Sequence, residues 1–117
     1  MIQGKVWGKT EPLLGQPSVA VHRLTIKANA RCSKHLHRYK FNAFFVVSGK
    51  LFIDVWKNDY NLVDTTELGP GDFTTVAPNE FHLFRTGNEK CVAVEMYYLP
   101  VLSEDIVRKS VGRVGRK

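Results

Sequence analysis

A chain of 117 residues has room for one domain and one core, and its hydrophobic fraction of 44% and aromatic fraction of 11% exclude disorder. No apolar run approaches the roughly 18 residues of a membrane span, and the opening MIQGKVWGKTEP lacks the apolar core of a signal peptide, which favours the cytoplasm. The formal charge of +6 gathers toward the end, at Arg108, Lys109, Arg113, Arg116 and Lys117, where no nucleic-acid motif accompanies it, so this basic segment (about residues 103–117) reads as a solvated terminus.

In chain order, most segments alternate with period two, the signature of strands. SVAVHRLTIKANA (18–30) comes first, then the nearly continuous apolar run FNAFFVVSG (41–49) and KLFIDVW (50–56). GDFTTVAP (71–78), EFHLFRT (80–86) and KCVAVEMYYL (90–99) follow. Turn signals separate them at Ser48-Gly49, Lys57-Asn58-Asp59, Gly69-Pro70-Gly71, Pro78-Asn79 and Gly87-Asn88. Only SEDIVRKS (103–110) suits a short helix, with Ser103 as its N-cap. Many short strands without covering helices imply two sheet layers around one core, an all-β double-sheet jelly roll over residues 1–117. The two cysteines, Cys32 and Cys91, form no C-x-x-C pair and read as reduced, buried thiols.

The segment HLHRYKFNAFFVVSGK (35–50) carries the chemistry. In a strand, residues i and i+2 share a face, so His35 and His37 project together. Their nitrogens suit one metal ion at about 2.0–2.2 Å. A third histidine, His82, comes at a strand start after Pro78 and its turn. Three neutral imidazoles form a good site for zinc, iron, nickel or copper.

These two phrases resemble the paired motifs of the cupin superfamily. The first reads His35-x-His37, four residues, Asn42, six residues, Gly49; the second reads Gly71, six residues, Pro78, three residues, His82. The resemblance implies a double-stranded β-helix barrel holding a divalent metal ion (zinc, iron, nickel or manganese) on His35, His37, Asn42 and His82. Cupins usually have Glu where this chain has Asn42. An amide oxygen ligates but brings no charge, so affinity falls while the ion stays a stronger Lewis acid. Outside these phrases the chain looks like the cupin domain of type II mannose-6-phosphate isomerases, at VWGK (6–9), VHRLTIKANA (21–30), FFVVSG (44–49) and EDIVRKSVGRVGR (104–116). No nucleotidyltransferase domain accompanies them, so only the isomerase-like part is implied. At the His35 position that family commonly has an amide.

Further residues have two readings each. Arg38 and Lys40 lie in the turn before Asn42; they either hold a phosphate or carboxylate at the pocket mouth or form a solvated hairpin. Glu95, flanked by valines, is a general base if it faces inward and a surface carboxylate if it faces outward. His22 fits neither phrase and reads as a structural or surface histidine. Asp72 is expected to cap its turn, and Trp7 and Trp56 to pack a core or an interface. If Asn42, Phe44 and Val46 point inward, Phe45 and Val47 are left outside, as are Phe52 and Trp56 on the next strand. That exposure predicts a homodimer.

Three functions fit. The resemblance implies aldose–ketose isomerisation of a sugar phosphate, with Glu95 or Lys40 as base. A three-histidine set also suits an iron oxygenase-type cupin. The third reading is a non-catalytic cupin that binds a sugar or small acid.

Overall fold

The computed structural model describes residues 2–57, 62–99 and 105–115. Nine strands run through them: β1 (Gln3–Lys5), β2 (Gly8–Gln16), β3 (Val19–Ile26), β4 (Phe41–Ser48), β5 (Leu51–Trp56), β6 (Val63–Leu68), β7 (Phe73–Val76), β8 (Phe81–Arg85) and β9 (Cys91–Tyr98). They form two antiparallel layers, a six-stranded sheet in the order β1-β2-β3-β9-β4-β7 and a three-stranded sheet in the order β6-β5-β8. The expected all-β jelly-roll class is what the chain adopts.

The strands with a clear apolar alternation are those whose inner faces fill the space between the sheets. Leu24 and Ile26 of β3, Phe44 and Val46 of β4, Leu51, Ile53 and Val55 of β5, and Cys91 and Ala93 of β9 all enter one buried cluster. Residues two apart share a face, so the same parity that buries Phe44 and Val46 also buries Asn42. Both cysteines are free and buried, and burial pushes each thiol up to about 11. Trp7 packs edge-on against Phe84 at 5.0 Å.

Two turns place the site. Gly49 joins β4 to β5 at φ +79, and a Cβ there would run into the Lys90 carbonyl, so both backbone conformation and close approach require glycine. Asn79 adopts φ 67, and its N–H donates to the His37 carbonyl at 2.7 Å, tying the turn before β8 to the histidine segment. Asp72 caps its turn as expected, its carboxylate accepting from the Gly69 N–H at 2.9 Å.

The part of the expected helix (103–110) that lies within the described residues is not helical: residues 105–110 are irregular and exposed, and no described residue is helical. Ser103, its proposed cap, lies outside the described residues, as do Asn58 and Asp59 of one predicted turn. Ile106 and Val107 are exposed rather than docked, and a short segment without tertiary packing cannot repay helix nucleation. The strands β1, β2 and β6 were not anticipated. They lie at or near sheet edges and are largely exposed, so no burial pattern marks them. Among the described residues, no helix is long and apolar enough to cross a membrane.

Candidate metal centre

His35 and His37 lie in an irregular extended segment before β4, rather than in the strand expected for them. Two isolated antiparallel bridges, Arg31 to Arg85 and His35 to His82, anchor it to β8. The His35 N–H donates to the His82 carbonyl at 3.0 Å and the His82 N–H to the His35 carbonyl at 2.8 Å. Directly paired residues project to one side, so the extended backbone still achieves the expected convergence. Ring centroids are 4.6 Å apart for His35 and His82, 5.1 Å for His35 and His37, and 5.5 Å for His37 and His82. One candidate ligand nitrogen from each ring lies within 4.8 Å of the others.

Hydrogen bonds fix which nitrogens face inward. His35 Nδ1 lies 2.7 Å from the Ser33 carbonyl, and His82 Nδ1 lies 2.9 Å from the Glu80 carbonyl. A carbonyl only accepts, so both Nδ1 atoms carry hydrogen and both neutral rings keep a lone pair on Nε2. Outer carbonyls of this kind orient metal-binding histidines. His37 Nε2 is buried with no hydrogen-bond partner among the described residues.

Asn42 stands beside the three histidines. Its amide nitrogen donates to Glu95 Oε2 at 3.3 Å and to the Met96 carbonyl at 3.1 Å. Its Oδ1 is therefore left facing His82 Nε2, 3.0 Å away. Two lone pairs at that distance repel unless a proton or a cation serves both. A proton is disfavoured: burial, then the neighbouring His35, push the His82 imidazole below its usual range. Burial, then His35, Lys40 and His82, bring His37 down to about 4. The donor set thus fits a divalent cation: neutral imidazoles, an orphaned Nε2 and an amide oxygen.

Glu95 faces inward. It is 7% exposed, and burial raises its pKa despite hydrogen bonds from Tyr97 and Asn42 and the charge of Lys40. It lines a cavity of about 500 Å³ together with Trp7, His22, Arg31, His35 and Tyr97. Burial and the adjacent Glu95 push the Tyr97 phenol upward, so it keeps its proton. Lys40 lies over the Tyr97 ring at 4.2 Å and lines a separate hollow of about 210 Å³. Arg38 is exposed in its turn and is not part of the larger cavity's lining.

His22, read from the sequence as structural or surface, is a cavity residue. The signal was its parity with the buried Leu24 and Ile26, which places it on the inner face of β3. Tyr97 is likewise on the Glu95 side of β9. Arg31 carried no periodic signal at all.

A family model described as "Cupin domain" matches residues 22–97. No curated protein matches the chain significantly. Among solved structures, KdgF from Halomonas sp. superposes with a TM-score of 0.72 at 13% identity, covering 86% of this chain and 89% of that one. The capsular polysaccharide assembling protein CapF from Staphylococcus aureus gives 0.76 at 16% identity, covering 90% of this chain but only 32% of CapF. The Cnp3 cupin domain from Schizosaccharomyces pombe gives 0.71 at 16% identity, covering 86% of this chain and 69% of that one. At such identities the likeness concerns the fold.

Proposed function

The chain belongs to the cupin family, and from that premise we propose a metal-dependent isomerase that interconverts an aldose and a ketose, its substrate a sugar or sugar phosphate. The observation that carries this reading is the juxtaposition of an unprotonated donor set with a buried carboxyl. His35, His37, His82 and Asn42 would hold the ion, and Glu95 lies directly behind Asn42 in the cavity wall. When bound, a divalent ion polarises a carbonyl and its neighbouring hydroxyl. Glu95 moves the proton between adjacent carbons, burial having raised its pKa so that the carboxylate is a stronger base than an exposed one. Tyr97, held neutral, donates a hydrogen bond to Glu95 and keeps its charge from being stranded.

The cavity is large enough for a hexose phosphate, and its rim carries the cations Arg31 and Lys5. The likeness of CapF, a capsular polysaccharide assembling protein, also points to carbohydrate. The resemblance to type II mannose-6-phosphate isomerases makes mannose 6-phosphate the first substrate to try. An uncharged donor set also suits iron in an oxygenase-type cupin, and metal identity separates the two. The experiment is elemental analysis of protein purified without chelator, followed by an assay for mannose 6-phosphate to fructose 6-phosphate conversion. Stoichiometric metal with turnover supports the proposal; metal-replete protein without isomerisation of any sugar phosphate overturns it.

The protein works as a homodimer. Phe45 and Phe73 are register partners on neighbouring strands, 38% and 68% exposed, with Val47 beside them at 51%. An apolar patch on the outer face of a sheet calls for cover. The outer face of β5 contributes less than its sequence suggests, because Arg85 lies over Phe52 at 4.8 Å and Lys34 over Trp56 at 4.0 Å.

A further inference from the structure

His22 is the cavity histidine that the metal set leaves over. It stands opposite Glu95 in the β3–β9 register, so the two side chains enter the cavity from adjacent strands. The Tyr97 ring neighbours both it and His37, with centroids 6.1 Å from His22 and 5.1 Å from His37, and His35 lines the same cavity. Its Nδ1 contacts Thr10 Oγ1 at 3.3 Å. Here it differs from His35 and His82, whose Nδ1 atoms face carbonyl oxygens. A carbonyl accepts only, and locks one tautomer. A hydroxyl donates or accepts by rotating. His22 therefore keeps its partner whether the hydrogen is on Nδ1 or on Nε2. A metal ligand needs one fixed tautomer, whereas a group that takes and returns a proton needs both.

We propose that His22, held by Thr10, is a second proton-transferring residue of this site and carries the hydroxyl proton between adjacent oxygens of the sugar. The inference rests on the isomerase reading. In that reaction Glu95 moves the carbon-bound proton. His22 Nε2 accepts the proton of the substrate hydroxyl, breaking that O–H bond, and delivers it to the neighbouring oxygen, which was the carbonyl. The N–H bond formed is then broken, and His22 ends as it began. One substrate carbon is oxidised and its neighbour reduced, so no outside oxidant or reductant enters. The ligand class this requires is an α-hydroxycarbonyl compound.

The first test is nitrogen NMR of the full-length protein with labelled imidazoles. His22 is expected to show shifts averaged over both tautomers, while His35 and His82 show the Nδ1–H form. Thr10→Val should drive His22 to one tautomer and Thr10→Ser should not. A His22 locked in one tautomer in the wild type overturns the inference. The second test follows metal-loaded protein with mannose 6-phosphate in deuterated water. His22→Gln should slow interconversion by on the order of 10²-fold or more, while metal content and deuterium entry at carbon persist. Unchanged interconversion overturns the inference, and so does a parallel loss of deuterium entry and metal, which would mark a structural role. Wild-type protein that neither exchanges nor interconverts overturns the isomerase reading as well, a result distinct from the others.

Discussion

Asn42 Oδ1 and His82 Nε2 meet at 3.0 Å, and both are acceptors. The contact follows from the fold on either side of it. Glu95 and the Met96 carbonyl claim the Asn42 amide hydrogens, and the Glu80 carbonyl claims the His82 ring hydrogen. Nothing covalent forces the two lone pairs together; the backbone positions of β4 and β8 do. In the proposed metal-bound state, a cation in front of them would turn the repulsion into shared coordination.

Asn42→Asp tests that contact. It retains a ligating oxygen and adds a charge. Metal affinity, measured by competition with a chelator, is expected to rise by at least about tenfold, the scale on which even outer contacts act. Metal-free protein should lose about 1–3 kcal/mol because the donor to Glu95 and Met96 is gone and a second carboxylate stands beside Glu95. An affinity equal to the wild type's would place position 42 outside the coordination sphere. Asn42→Glu should tighten binding for the same electrostatic reason.

The pH dependence of the metal-free protein follows from His37 and His82. Both have folded pKa values below the ordinary 6.5, His37 at about 4. Below pH 6.5 the unfolded chain takes up protons that the folded site refuses. Stability from these groups is therefore present above about 6.5 and is lost as pH falls toward 4. Glu95 acts with opposite sign: its raised pKa means that stability declines as pH rises above its ordinary 4.5. Melting temperatures recorded from pH 4 to 7 should climb across the histidine window, and the climb should be smaller in His37→Gln. A His37→Gln profile that climbs as steeply as the wild type's would contradict the burial of the His37 ring.

Glu95→Gln separates catalysis from folding. The amide preserves an acceptor for Asn42 and removes a buried charge, so thermal stability at pH 7 should hold or improve. Turnover of a sugar phosphate should fall by about 10²–10⁴. Activity at the wild-type level in this variant would remove Glu95 from the reaction.

Phe73→Glu or Phe45→Arg should give a monomer by analytical ultracentrifugation, with metal content unchanged, because the outer face of the six-stranded sheet lies away from the histidines. A wild-type protein that already sediments as a monomer would eliminate the proposed dimer.

The local pattern of the chain was enough for the part of this protein that repeats along a strand. The alternation in 41–49 and 90–99 marks inner and outer faces, because side chains on extended backbone must point to opposite sides. The pairing of His35 with His37 follows from the same rule, which holds even where the backbone is irregular. Strands β1, β2 and β6 escaped notice because an exposed edge imposes no burial pattern. The C-terminal helix was misread because capping residues mark where a helix would begin, while tertiary packing decides whether one forms.

Contacts between distant strands were decided only by the tertiary structure. Glu95 and Asn42 are 53 residues apart, and no period links them; the β4–β9 register brings them together. That register turns a carboxylate with two possible orientations into a buried acid beside the histidine cluster. The β3–β9 register likewise moves His22 from an incidental ring to the cavity wall. Side-chain parity is a property of each strand by itself. Which residues share a cavity depends on how the strands are paired, because hydrogen-bonded register sets distances across the sheet that no single strand contains.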